Sequence, residues 1–373
     1  MSDLSCSDEK PIKILHLIDS GGLYGAEKML LSLCKEQIKK GLDVAILSCG
    51  KPGEALKVIE TEAEKSSIPL IAWRMAPGFN FEGMKDIWLR IEQGGFTVLH
   101  SHGYKFNVLL ALTRKGHPPR IVSTVHGYTE SKFLSKGWAY QIIDRLLLSR
   151  LDSITFVNTS QALPWYLWLL YRRKIGFIAN GIDLSTPCPE RIHAKSLRKF
   201  LIVGRLSPEK GHIYAFEALK LLLRKSTDCS LTVAGEGPLK AELLSAVKRE
   251  GLQANVEFLG FVKDMGGLYR KHDAVLMPSL TEGLPITLLE SIRCEIPVFA
   301  TAVGAIPTLL TTPFLVEKKG SGESLYEALL KWEMLDTNLQ QQAIATVSKR
   351  LREQCSLERM TECYLKVYKR KAA

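Results

Sequence analysis

The sequence predicts an α/β fold of two doubly wound, Rossmann-like domains. Strand-like apolar runs alternate with helix-periodic segments, the alternation begins again near residue 199, and 373 residues are too many for one ordinary core. A hydrophobic content of 46% and a mean hydropathy of +0.02 place the chain among globular proteins.

Residues 12–18 (IKILHLI) read as the first strand, 20–25 as a glycine-rich turn, and 26–40 as a helix stopped by Gly41. Further strands are expected at 43–48, 97–100, 121–125 and 153–157. After Asn180-Gly181-Ile182-Asp183, residues 184–189 form a turn-rich linker. The second alternation places strands at 199–203, 230–233, 256–259, 274–277 and 297–300, with helices at 212–224 and from the turn at 235–238 to about 250. The tail, 356–373, is helical in pattern. The rhythm argues for parallel sheets covered on both faces. The expected domains are 1–185 and 186–355, followed by the helix 356–373, with ligands at the carboxyl ends of the strands in a shared cleft.

The longest apolar run, 162–171, is too short to span a bilayer. The first ten residues are polar and acidic, unlike a signal peptide. Eight cysteines without CxxC pairs point to reduced thiols and a cytoplasmic protein. The formal charge of +11 carries no nucleic-acid module signature, so no nucleic-acid partner is expected. Basic runs at 171–174 and 366–371 sit beside aromatics; a solvated surface and a membrane-facing patch are both open readings. For Trp165, Trp168, Tyr171, Arg172, Arg173 and Lys174, an interior helix with a basic end is preferred over an interfacial one, because Trp and Leu also fill cores.

TEGLPITLLE, residues 281–290, carries the clearest chemistry. Pro285 suits the first position of a helix, which places Glu282 in the loop before it and Glu290 about a turn and a half inside. Between them lie the unpaired N–H groups of a helix start, a natural anion site. Carboxylates flanking an anion site fit a ligand with hydroxyls at both ends and phosphate between, the layout of a nucleotide-sugar. GRLSPEKG, residues 204–211, sets Arg205 and Lys210 just beyond a strand, where a fork donor and a flexible ammonium share a diphosphate's charge. Alone they would be surface cations; with the anion site they read as ligands. The turn Gly235-Glu236-Gly237-Pro238 is weak evidence by itself. GxGxxG and GxxxxGK[ST] are both absent. His126 and His102 each end a strand, and neither belongs to a Cys/His cluster at metal spacing. No Asp-x-Asp occurs, so no metal is expected.

Together these motifs resemble the family 4 glycosyltransferases, retaining enzymes of the GT-B fold. GRLSPEKG, VAGEGPLKAEL, VEFLGFVKD, PSLTEGLPITLLES and PVFATAVGAIP occur in the family's order and spacing; GGLYGAEKMLLSL and KIGFIANGID resemble its N-terminal glycine loop and interdomain segment. The resemblance implies an acceptor-side first domain, a nucleotide-sugar-binding second domain, and a terminal helix packed back on the first. It makes Arg205 and Lys210 the diphosphate ligands, Glu290 the ribose contact and Glu282 the donor-sugar contact. Gly283, Leu284 and Pro285 supply backbone, with Glu236 also on the donor side. His126 lies near donor sugar and acceptor, and Gly21 and Gly22 let the backbone approach. Ala179, Thr308 and Cys294-Glu295 depart from the family's pattern without removing a phosphate ligand. The implied activity is transfer from a nucleotide-diphosphate sugar, UDP-linked as first choice, to a glycan or lipid-linked hydroxyl, with possible peripheral membrane contact and no cofactor. The rival readings are an epimerase of the same fold and a non-catalytic nucleotide-sugar-binding scaffold.

Overall fold

The computed structural model describes residues 11–76, 80–114, 116, 118–126, 136–158, 164–185, 188, 197–225 and 228–370. Of the linker read from the sequence, 186, 187 and 189 lie outside them. The chain divides into two compact units.

The first unit comprises Met1–Phe156, Leu163–Ile178 and Thr361–Ala373. Its seven parallel strands are β1 (Lys13–Ile18), β2 (Asp43–Gly50), β3 (Leu70–Arg74), β4 (Val98–Ser101), β5 (Arg120–Val125), β6 (Ser153–Phe156) and β7 (Ile175–Phe177), in the order β3-β2-β1-β4-β5-β6-β7. The strand order turns back between β1 and β4, which makes a crevice at their carboxyl ends. Alternation along the strands divides the sheet into unlike faces. Leu15, Leu17, Leu99, Ile121, Ile154 and Phe156 enter the apolar core. His16, His100, Thr124 and Thr155 lie on the other face, and His16 pairs with His100 and Thr124 with Thr155 in register. All four are buried. The helices Gly25–Lys39 and Leu357–Lys369 cover this polar face through Gln37, Tyr364 and Tyr368.

The second unit comprises Val157–Ala162 and Ala179–Met360. Its strands are β8 (Lys199–Val203), β9 (Ser230–Ala234), β10 (Val256–Gly260), β11 (Ala274–Met277), β12 (Val298–Thr301) and β13 (Leu315–Val316), ordered β10-β9-β8-β11-β12-β13. All are parallel, and the order turns back between β8 and β11. Both sheets are thus the Rossmann-like sheets expected from the sequence. Expected helices stand at Gly25–Lys39, His212–Leu223, Lys240–Arg249 and Leu357–Lys369.

Two expectations are corrected. Cys188 and Cys294 form a disulfide with Cα atoms 5.2 Å apart, against the expectation of reduced thiols. They are 106 positions apart, beyond the reach of a spacing argument. The helix Trp165–Tyr171 is not an interior helix: Leu167 and Tyr171 are buried, whereas Trp165 is 78% and Leu170 70% exposed. No helix among the described residues is long and apolar enough to cross a membrane.

Candidate active site

The second unit brings Lys210 and Glu282 together beyond β8 and β11, where its strand order turns back. After β8 the chain enters a short turn, Pro208–Lys210, closed by Gly211 at φ 67°. A Cβ on Gly211 would lie 2.1 Å from the Pro278 carbonyl oxygen just beyond β11, so only glycine allows the two loops to meet. The Leu280 N–H donates to the Glu209 carbonyl at 2.8 Å and fastens them. This brings Lys210 to Glu282: Nζ is 2.6 Å from Oε1, and Ser279 Oγ donates to the same oxygen at 2.7 Å. Glu282 is nearly enclosed and Lys210 partly so, with side-chain exposures of 8% and 24%.

Immediately after Glu282, Pro285 is the N-cap of the helix Ile286–Arg293, one residue earlier than its expected place inside the helix. The first-turn N–H groups of Ile286 and Thr287 have no partner within the helix itself and follow Glu282 closely in the chain. Inside the helix, Glu290 is half-buried and accepts from Tyr269 OH at 3.0 Å, the partner that a carboxylate on an apolar helix requires. Burial and the neighbouring Glu290 carboxylate hold the Tyr269 phenol well above its ordinary pKa.

The glycine turns serve close packing. A Cβ on Gly235 would stand 1.8 Å from the Gly204 carbonyl oxygen, and one on Gly237 would stand 2.3 Å from that of Leu206. The 235–238 turn thus backs the loop that carries Arg205. Arg205 is exposed. Glu236 is also exposed and pairs with Lys240 at 3.4 Å rather than joining the Lys210–Glu282 pair. Gly283 accepts from the Ala305 N–H at 2.9 Å, and Leu284 from Asn180 Nδ2 at 2.8 Å. Thr308, one of the departures from the family's pattern, donates its hydroxyl to the Ala305 carbonyl at 2.7 Å.

In the first unit, Gly21 and Gly22 follow β1 at that sheet's own turning point. Gly21 is exposed, with open space around its Cα, whereas a Cβ on Gly22 would meet the Tyr24 ring at 2.7 Å. His126 follows β5 and sits 3.2 Å from His102. Burial lowers the His126 pKa to about 4. His16, His100 and His102 bring ring nitrogens within 4.8 Å of one another.

Comparison with known proteins agrees along the chain. Residues 24–186 match the family described as Glycosyltransferase Family 4, and 190–350 match Glycosyl transferases group 1. The chain belongs to these family 4, group 1 glycosyltransferases. The family is a retaining one. One relative is the Escherichia coli UDP-Gal:alpha-D-GlcNAc-diphosphoundecaprenol alpha-1,3-galactosyltransferase, 22% identical over 83% of this chain and 84% of its own. Another is the Escherichia coli O-antigen biosynthesis glycosyltransferase WclY, 29% identical over 56% of this chain and 62% of its own. Among solved structures, Anabaena HepE in complex with UDP and glucose superposes with a TM-score of 0.77 at 18% identity, over 95% of this chain and 99% of that one. The likeness shows the shared GT-B fold.

Several residues of this family 4 glycosyltransferase that shape the site escaped sequence reasoning. Ser279, Tyr269 and Asn180 hydrogen-bond Glu282, Glu290 and Leu284 and so help to position them. Asp19, beside the Gly21-Gly22 loop, draws in Lys105 at 2.9 Å and Lys57 at 3.4 Å. Asn180 stands in the family-like segment KIGFIANGID and Ser279 in PSLTEGLPITLLES, but neither motif foretold these contacts.

Proposed function

We propose that this glycosyltransferase moves a sugar from a nucleoside diphosphate sugar, UDP-linked as first choice, to a hydroxyl of a glycan or lipid-linked glycan, in cell-surface polysaccharide or glycoconjugate synthesis. The observation that carries this reading is the Lys210–Glu282 pair, 2.6 Å apart, at the turning point of the second sheet and before a helix start. Of the relatives named above, WclY is an O-antigen biosynthesis glycosyltransferase, and the galactosyltransferase pairs UDP-Gal with an alpha-D-GlcNAc-diphosphoundecaprenol acceptor.

In this reading Arg205, Lys210 and the N–H groups at the start of Ile286–Arg293 hold the diphosphate. As the sugar–phosphate bond breaks, negative charge grows on the leaving oxygen, and fixed donors stabilise it without reorganising. They take the part a metal ion takes in other transferases, so no metal is assigned to this step. Lys210 turns from Glu282 towards phosphate, leaving Glu282 to accept from hydroxyls of the transferred sugar. Glu290 accepts from the ribose hydroxyls. The leaving phosphate takes the acceptor's proton on the face it departs from, which preserves the anomeric configuration. His126 receives a hydroxyl of donor or acceptor.

The acceptor's lipid part, and peripheral membrane contact, are supported by the helix Trp165–Tyr171. Trp165, Tyr166, Leu169 and Leu170 project outward beside exposed Arg172 and Arg173. Lys174 is not part of that surface, because its ammonium is held by the Ser149 and Leu151 carbonyls at 2.6 and 2.9 Å.

The test is a thermal-shift panel of nucleotide-sugars followed by product analysis with and without acceptor, since native-state ligands raise the melting temperature. A glycosylated acceptor with retained configuration is expected. An altered free sugar formed without acceptor would make the protein an epimerase, and stabilisation without turnover would make it a binding scaffold.

A further inference from the structure

We propose that a one-directional chain of hydrogen bonds through the first unit fixes His126 as its Nε2–H tautomer and presents Nδ1 as the unprotonated nitrogen, which makes His102 and His16 positioning residues for the transfer reaction. The functional half of this inference rests on the role given to His126 above.

The direction follows from one group that can only accept, the Ser123 backbone carbonyl. Thr155 Oγ1 donates to it at 2.9 Å and so uses its single proton. At the 2.7 Å contact between the two threonines, Thr124 must then be the donor. Its proton spent, Thr124 accepts from His100 Nε2 at 2.7 Å and from Tyr364 OH at 2.9 Å. A neutral His100 protonated on Nε2 has its lone pair on Nδ1, where Tyr368 OH donates at 2.7 Å. Tyr368 therefore accepts from the Gln37 amide NH₂ at 3.3 Å. That sets the orientation of the amide and points Gln37 Oε1 at His16 Nε2, 2.8 Å away. His16 must donate there, so its Nδ1 accepts from His102 Nε2–H at 2.9 Å. His102 Nδ1 accepts in turn from His126 Nε2–H at 3.2 Å. The remaining lone pair of the series is on His126 Nδ1.

The series holds its direction while every ring is neutral, because an imidazolium has no lone pair and would reverse the links beyond it. Its rings and hydroxyls hydrogen-bond one another, Gln37 and the Ser123 carbonyl, with no carboxylate in the series. Burial lowers His16 and His126 to about 4 and His100 and His102 well below their ordinary value. A metal ion at His16, His100 and His102 would have to displace the donors already seated on their lone pairs. A bare Nδ1 accepts a hydrogen bond from a sugar hydroxyl, whereas an Nδ1–H would meet that hydroxyl's oxygen. The tautomer therefore selects which atom of the substrate faces His126, as an oriented imidazole does in other active sites.

The test is a long-range proton–nitrogen correlation spectrum of the full chain labelled with ¹⁵N-histidine, ligand-free at neutral pH, with His126 assigned by its loss in H126N. A His126 ring protonated on Nε2 alone is expected. The variant H102F, which removes the acceptor for His126 Nε2–H, is expected to mix the two tautomers and lower kcat/KM about tenfold, roughly the worth of one hydrogen bond; H102N, which keeps an oxygen acceptor, is expected to recover part of both. A wild-type His126 protonated on Nδ1 or doubly protonated, stoichiometric zinc binding that shifts the three buried rings, or an H102F spectrum with His126 unchanged would each overturn the proposal. The wild-type spectrum decides by itself if H102F does not fold. An Nε2–H tautomer in a protein whose transfer rate ignores H126N would leave the chain of bonds standing and refute the role given to His126.

Discussion

Gly237 contributes by lacking a side chain. Any Cβ there would be 2.3 Å from the Leu206 carbonyl oxygen, so G237A must push back the loop that carries Arg205. Overpacking of this kind costs about 1–3 kcal/mol, and both a lower melting temperature and weaker UDP-sugar binding are expected by thermal shift and calorimetry. Lys210 acts instead through charge. K210A leaves the Glu282 carboxylate without its ammonium and the diphosphate without a donor, so kcat should fall by about 10²–10³, the usual effect of losing one donor to a developing oxyanion. Near-normal turnover in K210A would reject that role. Lys210, Glu282 and Glu290 were legible in the sequence because each stands in a short motif with a physical reading. Tyr269, Ser279 and Asn180 were not, because each is an ordinary residue whose contact with the site exists only in the folded chain. His126 and His102 read singly as strand-end residues, and His16 and His100 were not singled out; only the pairing of β1, β4 and β5 brings the four together.

Most strands were legible because apolar runs of five or six residues bounded by turns have few alternatives. Those the sequence left unread are at the sheet edges: β3, β7 of three residues, and β13 of two. Short edge strands carry little pattern, and their place comes from the neighbour they pair with. The helix Trp165–Tyr171 shows a different limit. Its composition favoured the core, yet only Leu167 and Tyr171, four positions apart, turned out to face inward. The double variant W165S/L170S should weaken co-sedimentation with anionic vesicles by about tenfold or more, since two apolar side chains lose their lipid contacts. Its melting temperature should stay unchanged because both side chains are exposed. Vesicle binding that survives the double variant, or that ignores anionic lipid, would remove this helix from the membrane reading.

For the whole molecule, the buried histidines tie stability to pH. His16 and His126 titrate near 4 when folded and near 6.5 when unfolded, so below 6.5 the unfolded chain binds more protons. Their contribution is complete above pH 6.5, declines as the pH falls, and levels off below about 4. Each can steepen the loss by up to about 1.4 kcal/mol per pH unit, so the urea midpoint should drop between pH 7.5 and pH 5. A midpoint constant across that range would contradict neutral, buried rings. The apparent order of the chain conceals one further demand. Tyr364 and Tyr368 seal the polar face of a sheet whose strand partners, Thr124 and His100, lie 240 and 268 residues upstream of them. Ribosomes deliver that sheet first and its cover last. Throughout the synthesis of the second unit the histidine row stays wet, so the unit made first is the one that finishes folding late.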